Sequence, residues 1–358
     1  MSTTAFVTGF PGFIGRRLVP RLLAEDPARR VVALVEDRMV APARELAGSF
    51  GERVEILAGD ITERRLGLGD DDWERLRSEV THVFHLAAIY DLAVPVHVAQ
   101  RLNVDGTGNV LELCLAAERL QRLAHVSTAY VAGRRTDVVY EHELVMGQGF
   151  KNHYESTKFQ AEVWVRRLMD RVPTTILRPA IVVGDAFSGE TEKFDGPYYL
   201  LRAISRMHRL GRSVIQFGAS EASFNVVPVD YVVAAIAAAG SASETVGETL
   251  HLVDPDPLSS RELLRLLSQH YAGRSPSGRI PAWLVTAALR AGPVRDAFGG
   301  TPHESIAYLN HRVTFDTRRA VDLLSPLGLR PPRFVDYIGP VVEFFRAHED
   351  DPAFMRRR

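Results

Sequence analysis

The chain opens with short apolar runs that alternate with longer stretches of helical periodicity. Strand-like runs fall at 5–9 (AFVTG), 31–35 (VVALV), 54–60 (VEILAGD), 82–88 (HVFHLAA), 122–128 (RLAHVST) and 174–184 (TTILRPAIVVG). Helix-like spacing fills 13–24, 38–47, 72–79, 103–118 and 154–170. Strands rich in Val and Ile, apolar on both faces and separated by helices, predict a parallel sheet covered on both sides. That pattern is the doubly wound, Rossmann-type α/β class.

After residue 184 the rhythm changes. The stretch 185–199 (DAFSGETEKFDGPYY) is polar, turn-rich and aromatic. Helices are expected at 198–210, 227–240, 259–271, 281–292 and 334–348, with strands at 213–218 and 248–254. Serines open the helix at 259, a start signal. The expected division is a sheet domain of 1–184 plus 229–254 and a smaller, mainly helical region of 185–228 plus 255–358.

Composition narrows the picture. Of 358 residues, 46% are apolar, enough for a large core, and the net charge is −1, which offers no electrostatic footprint for nucleic acid. The single cysteine, Cys114 in NVLELCLAAE, excludes an internal disulfide and a cysteine metal cluster. It is expected to be a small buried hydrophobe. No run is long enough for an integral membrane segment, and no signal peptide is expected before the first strand. The expectation is a cytoplasmic protein. The basic tail MRRR (355–358) reads as a solvated terminus.

Three glycines, Gly9, Gly12 and Gly15, lie between the first strand and the first helix. Glycine permits a tight turn, lets the backbone approach a pyrophosphate and lets the helix pack close, while the helix N-terminus offers free N–H groups to phosphate. The turn also carries Phe10, Phe13 and Ile14. Glu36, closing the second strand, suits a ribose diol and so NAD. Arg16 and Arg38 could instead clamp a 2′-phosphate and so favour NADP. Asp60, followed by Ile61, is placed to meet the adenine edge.

In YESTK, Tyr154 and Lys158 are four apart on one predicted helix and share a face. A free phenol has a pKa of about 10, and a neighbouring ammonium favours its ionised form. Lysine is scarce here: Lys151, Lys158 and Lys193 are the complete set. Ser127 and Thr128 end the fifth strand at the carboxyl edge, where such sheets bind ligands. Thr128 is the better placed to bond a substrate oxygen. His82, His85 and His97 show no metal-ligand spacing, and His85 reads as a satisfied core residue.

These pieces stand in an order that resembles the extended short-chain dehydrogenase/reductase superfamily: TGFPGFIG (8–15), GDI (59–61), HLAA (85–88), NVDGTGNVL (103–111), STAYVAG (127–133), YESTK (154–158) and RPAIVVG (178–184). The resemblance implies Thr128, Tyr154 and Lys158 as a catalytic triad and Asn103 as an organising asparagine. It also implies that the glycine turn, Asp60, Ala87, Lys158 and Pro179 line the cofactor. STAYV, NHYESTK and 185–201 are most similar to the branch of fatty acyl reductases and thioester reductase domains. That branch implies NADPH, hydride transfer to an acyl thioester, and no cysteine nucleophile. A dehydrogenase or ketoreductase of a bulky apolar alcohol or ketone, and a dinucleotide sensor without turnover, are the alternatives. An apolar substrate site is expected among 194–201, Phe224 and the run from Trp283 to Ala291. The segment 280–298 is a candidate lid, interface or membrane-contacting helix. The family also implies a homodimer.

Overall fold

Alternation within each strand resolves into two packed faces of one sheet. The computed structural model describes residues 3–90, 94–217, 221–292 and 306–354. Its first elements are β1 (Thr4–Thr8), α1 (Gly15–Glu25), β2 (Arg30–Val35), α2 (Val40–Ala47), β3 (Val54–Ala58), α3 (Asp70–Glu79) and β4 (His82–His85). There follow α4 (Val96–Ala99), a wide π-type turn at Gln100–Asp105, α5 (Gly106–Ala116), β5 (Arg122–Val126), β6 (Val138–Val139) and α6 (His153–Arg167). Next come β7 (Thr174–Pro179), β8 (Ile181–Val183), α7 (Tyr198–Arg209), β9 (Gln216–Phe217), β10 (Val226–Pro228), α8 (Val229–Ala239) and β11 (Thr249–Leu252). The chain continues through α9 (Ser260–Ala272), β12 (Arg279–Ile280), α10 (Ala282–Arg290), α11 (Ile306–Leu309), β13 (Thr314–Phe315), α12 (Arg318–Leu324) and α13 (Phe334–His348).

The main sheet has seven strands in the order β11-β7-β5-β4-β1-β2-β3, and all its pairs are parallel. Every residue of β1 is buried. Ala5 and Val7 join Ala33 and Leu177 in one core, against Leu18 and Leu22 of α1 and Ile236 of α8. Phe6 points the other way, with Val32, Val83 and Ile176, against Leu76 of α3, Leu113 of α5 and Val165 of α6. Phe6 is fully enclosed; truncation to Ala would cost about 3–5 kcal/mol. Strand order reverses between β1 and β4, and the crevice at their carboxyl ends is where such sheets take ligands.

Two expected elements are split and a third is shortened. The run 174–184 is two strands: β7 lies in the main sheet, whereas β8 pairs with β10. Pro179 has no N–H with which to extend a ladder, and the next residue, Ala180, donates its own N–H to Leu252 at 3.0 Å. The helix expected at 227–240 begins as β10, and Pro228 marks the switch to α8. The strand expected at 213–218 is confined to Gln216–Phe217, and its last position lies outside the described residues. By contrast, α9 starts where the serines indicated. Ser259 accepts from the Glu262 N–H and Glu262 returns the bond, a reciprocal cap. Among the described residues, no helix is long and apolar enough to cross a membrane.

Candidate active site

The glycine turn makes a cradle at the end of β1. Gly9 has φ +89°, a left-handed conformation, and a Cβ there would sit 2.9 Å from the Ala87 nitrogen. A Cβ on Gly15 would come within 2.4 Å of the Gly9 carbonyl oxygen, and one on Gly12 within 3.0 Å. Backbone and helix therefore approach as closely as glycine allows. No side chain caps α1, and its first turn has no acidic residue. Among the described residues, the Phe13 and Ile14 N–H groups donate to no acceptor. A cradle that side chains would fill, opening on an uncapped helix N-terminus, suits a pyrophosphate, so these residues fit a dinucleotide.

One cavity of about 1430 Å³ contains this cradle. Gly9, Phe10, Gly12, Phe13, Ile14 and Gly15 line it, as do Glu36, Arg38, Ile61, Ala87 and Pro179. Two expected contacts lie elsewhere. Arg16 points away and pairs with Glu190 at 3.0 Å and Glu192 at 3.3 Å. Asp60 folds its carboxylate onto the Thr62 N–H at 2.8 Å, leaving its neighbours Gly59 and Ile61 on the wall. Glu36 and Arg38, which read as rivals in the sequence, are partners at 2.6 Å on an exposed rim.

Farther along the same cavity stand Thr128, Tyr154 and Lys158. Asn152 caps α6 by accepting from the Glu155 N–H at 2.9 Å, which fixes the turn that carries Tyr154. Tyr154 is half-buried, and its ring meets Tyr90 edge-on at 5.1 Å. Burial pushes the Tyr154 phenol up to about 12, the Thr128 hydroxyl opposes this, and the Glu155 charge adds to it. The lowering expected from Lys158 is not among the effects that set the phenol's pKa, and the ammonium donates to the Val126 carbonyl at 2.8 Å. Lys158 is itself only 2% exposed, and burial pushes its pKa down to about 8 against a smaller opposing effect of Glu162. Thr128 donates to the Pro179 carbonyl at a long 3.4 Å and accepts from the Tyr130 N–H, so its proton is only weakly engaged.

Asn103 does not reach the cavity. Its side chain accepts from the Ile89 N–H at 2.9 Å and donates to Thr157 at 3.0 Å. It thereby joins the segment carrying Ala87 and Tyr90 to the helix carrying Tyr154. Ser127 donates to Glu162 at 2.6 Å, which leaves Thr128 as the neighbouring hydroxyl toward the phenol. His85 bonds Thr8 and Thr107 at its two ring nitrogens, the satisfied core residue expected. Cys114 is buried, and burial pushes its thiol up to about 12.

Two contributors were missed. Tyr308 of α11 lines the cavity and donates to Glu155 at 2.8 Å while accepting from Asn152 at 2.8 Å. Lys151 completes that group, 3.0 Å from Glu155. Lysine scarcity was the available signal: Lys151 holds the start of α6, Lys158 lies one turn beyond Tyr154, and Lys193 lines the cavity. Beyond Tyr154 the cavity becomes apolar, with Leu200, Ala203, Met207, Val214, Phe224 and Leu284 on its walls. Phe194 and Tyr199 also line it, whereas Tyr198 is buried and its hydroxyl accepts from the Gly184 N–H. Of the run 283–291, Leu284, Val285 and Ala288 face the cavity and Trp283 faces solvent; 293–298 lie outside the described residues.

Comparison with known proteins agrees with this geometry. Residues 7–236 match the NAD-binding family described as "Male sterility protein". An aldehyde reductase, lnaA, of Aspergillus flavus is 30% identical over 277 residues, covering 70% of this chain and 26% of the relative. A fatty acyl-CoA reductase, wat, of Drosophila melanogaster is 25% identical, covering 65% of this chain and 53% of that protein. The chain thus spans between about a quarter and a half of these relatives. The crystal structure of the terminal R domain of the myxalamid PKS-NRPS pathway superposes with a TM-score of 0.79 at 23% identity, covering 97% of this chain and 91% of that one. With its glycine cradle, seven-stranded parallel sheet and Tyr–Lys helix accounted for, the chain belongs to this NAD-binding male sterility family, within the extended short-chain dehydrogenases/reductases, a superfamily of NAD(P)-dependent oxidoreductases.

Proposed function

We propose that the protein reduces the carbonyl of an apolar acyl thioester to an aldehyde. The observation that carries this reading is the continuity of the cavity from the glycine cradle, past Thr128 and Tyr154, into the apolar arm. Its volume of about 1430 Å³ exceeds the roughly 300–1,000 Å³ of an ordinary ligand pocket, room for a dinucleotide and a second molecule end to end. The named activities of the aldehyde reductase and the fatty acyl-CoA reductase support the same reaction class. Cofactor contacts are assigned to the cavity-lining members of the glycine turn, Glu36, Arg38, Ile61, Ala87, Lys158 and Pro179.

Nicotinamide, when bound, supplies the hydride. Thr128 and Tyr154 hold the carbonyl oxygen and stabilise the negative charge that develops on it. A phenol held near 12 is fully protonated at neutral pH, the form a donor needs, and the developing alkoxide is basic enough to take its proton. Lys158 supplies the positive charge that compensates the phenolate left behind. The tetrahedral hemithioacetal then expels its thiol and leaves the aldehyde, without an enzyme nucleophile. Asn103 acts as a positioning residue. The buried single cysteine suits a reducing compartment such as the cytoplasm.

The test is oxidation of NADH or NADPH with long-chain acyl-CoA, with trapping of the aldehyde, beside a long-chain ketone of equal length. Thioester turnover is expected, with Tyr154→Phe lowering kcat by about 10²–10⁴-fold. Turnover of the ketone alone would replace this reading with a ketoreductase, and an unaffected Tyr154→Phe would remove the mechanism.

A further inference from the structure

The apolar arm of the cavity ends in a region of unusual charge. Residues 196–217 and 263–292 contain four arginines each and no aspartate or glutamate, in a chain whose net charge is −1. The two stretches are packed together. β9 pairs with β12, the Ser277 N–H donates to Val214 at 2.9 Å, and Arg274 donates to the Gly211 carbonyl at 3.2 Å. The carboxylates flanking these stretches are themselves paired or capping, two of them on Arg209 of the first stretch. Glu221 pairs with Arg261, Glu262 caps α9, and Glu349 and Asp350 hold Arg209. Arg212, Arg274, Arg279 and Arg290 are exposed, and none pairs with a carboxylate among the described residues.

Set among these arginines is an apolar tip. Trp283 is 67% exposed, Leu210 65%, Leu284 42% and Ile215 39%. Leu284 and Ile215 also line the cavity, so the tip is continuous with its apolar arm. Soluble surfaces scatter single apolar residues; exposed apolar side chains that also line a ligand cavity mark a candidate interaction site. An exposed tryptophan on elements that also carry exposed arginines is the chemistry of the bilayer interface, where the indole sits at headgroup depth and guanidinium groups meet lipid phosphate.

We propose that this face, formed by the α7–β9 turn, β12 and the start of α10, docks on an anionic lipid surface, so that the apolar arm opens toward the acyl chains. An acidic protein would satisfy the arginines but gives no role to Leu284 and Ile215, which are exposed and also line the apolar arm of the cavity. Docking goes beyond the proposed reaction and is read without turnover, so the two can fail separately.

The experiment is flotation of the whole chain with vesicles of phosphatidylcholine containing 30% phosphatidylglycerol, beside pure phosphatidylcholine. In a Trp164→Phe background, with Trp73 buried, emission reports Trp283. Expected results are flotation with the anionic vesicles, a blue shift of Trp283, and loss of both as salt rises from 0.1 to 1 M, where the Debye length shrinks from about 10 to 3 Å. Each arginine near the surface is worth about fivefold in partition, so Arg274→Glu with Arg279→Glu should weaken binding by at least about twentyfold. Trp283→Ser should weaken it without lowering the melting temperature. No flotation at low salt, equal binding to neutral vesicles, or binding untouched by either variant would overturn the proposal. So would retention on polyglutamate without vesicle binding, which would indicate an acidic protein partner.

Discussion

Lys158 and Glu162 lie one turn apart on α6, both buried and both charged, yet their surroundings are opposite. Glu162 receives bonds from Arg178 on both oxygens, from Arg166 and from Ser127. Those partners outweigh its burial, and its pKa falls below the ordinary carboxylate value. Lys158 has the Val126 carbonyl as its hydrogen-bond partner, and burial destabilises its charge. The first charge is neutralised and holds the helix to β7. The second is left under-coordinated, facing the cavity, with bonding capacity to spare for what binds there. On the function proposed above, the satisfied charge is scaffold and the under-coordinated one serves the site.

The largest expected effect separates the two roles. Lys158→Met should lower kcat/KM by about 10²–10⁴-fold while leaving the melting temperature unchanged or higher, since it removes a poorly solvated charge. A variant that melts well below the parent would show that Lys158 is scaffold after all. Next is Glu162→Met, which strands Arg178 in the core and should cost about 3–5 kcal/mol in denaturant unfolding. A loss below about 1 kcal/mol would break the comparison from the other side.

The third effect is a pH dependence. Lys158 titrates near 8 in the folded chain and near 10.5 unfolded. Between those values the unfolded chain binds more protons, so stability rises with pH. The penalty of the buried ammonium is fully present below pH 8 and relieved toward 10.5, by at most about 3 kcal/mol. Unfolding free energies of the parent and Lys158→Met should therefore converge between pH 8 and 10.5. A constant difference would mean that Lys158 keeps its ordinary pKa. The smallest effect concerns the exposed Glu36–Arg38 pair, unlike either buried charge. Glu36→Ala should change stability by less than about 0.5 kcal/mol, yet lower KM for NADPH relative to NADH by freeing Arg38 for a 2′-phosphate. An unchanged ratio would assign the preference to other residues.

Much of the sheet and the cradle was legible because their determinants are local. Continuous apolar runs, glycines at steps of three and a Tyr–Lys offset of one turn are all read from neighbours in sequence. What escaped depends on residues far apart. Asn103 could be identified as an organiser, but its bonds to Ile89 and Thr157 require the folded chain. Glu36 and Arg38 read as competitors because sequence gives types and order, whereas their rotamers made them a pair. The split at Ala180 escaped because a continuous apolar run does not reveal that its second half changes sheets.

The Tyr308 hydroxyl lies 153 positions along the chain from its acceptor, Glu155. The seat of the Tyr154 helix is thus completed by a ring from the C-terminal segment. Recombining the N-terminal half of this chain with the C-terminal half of a relative would exchange the specificity arm and this ring together. Grafted chimaeras must carry a tyrosine at 308, or an equivalent donor, if the transplanted module is to inherit an aligned phenol.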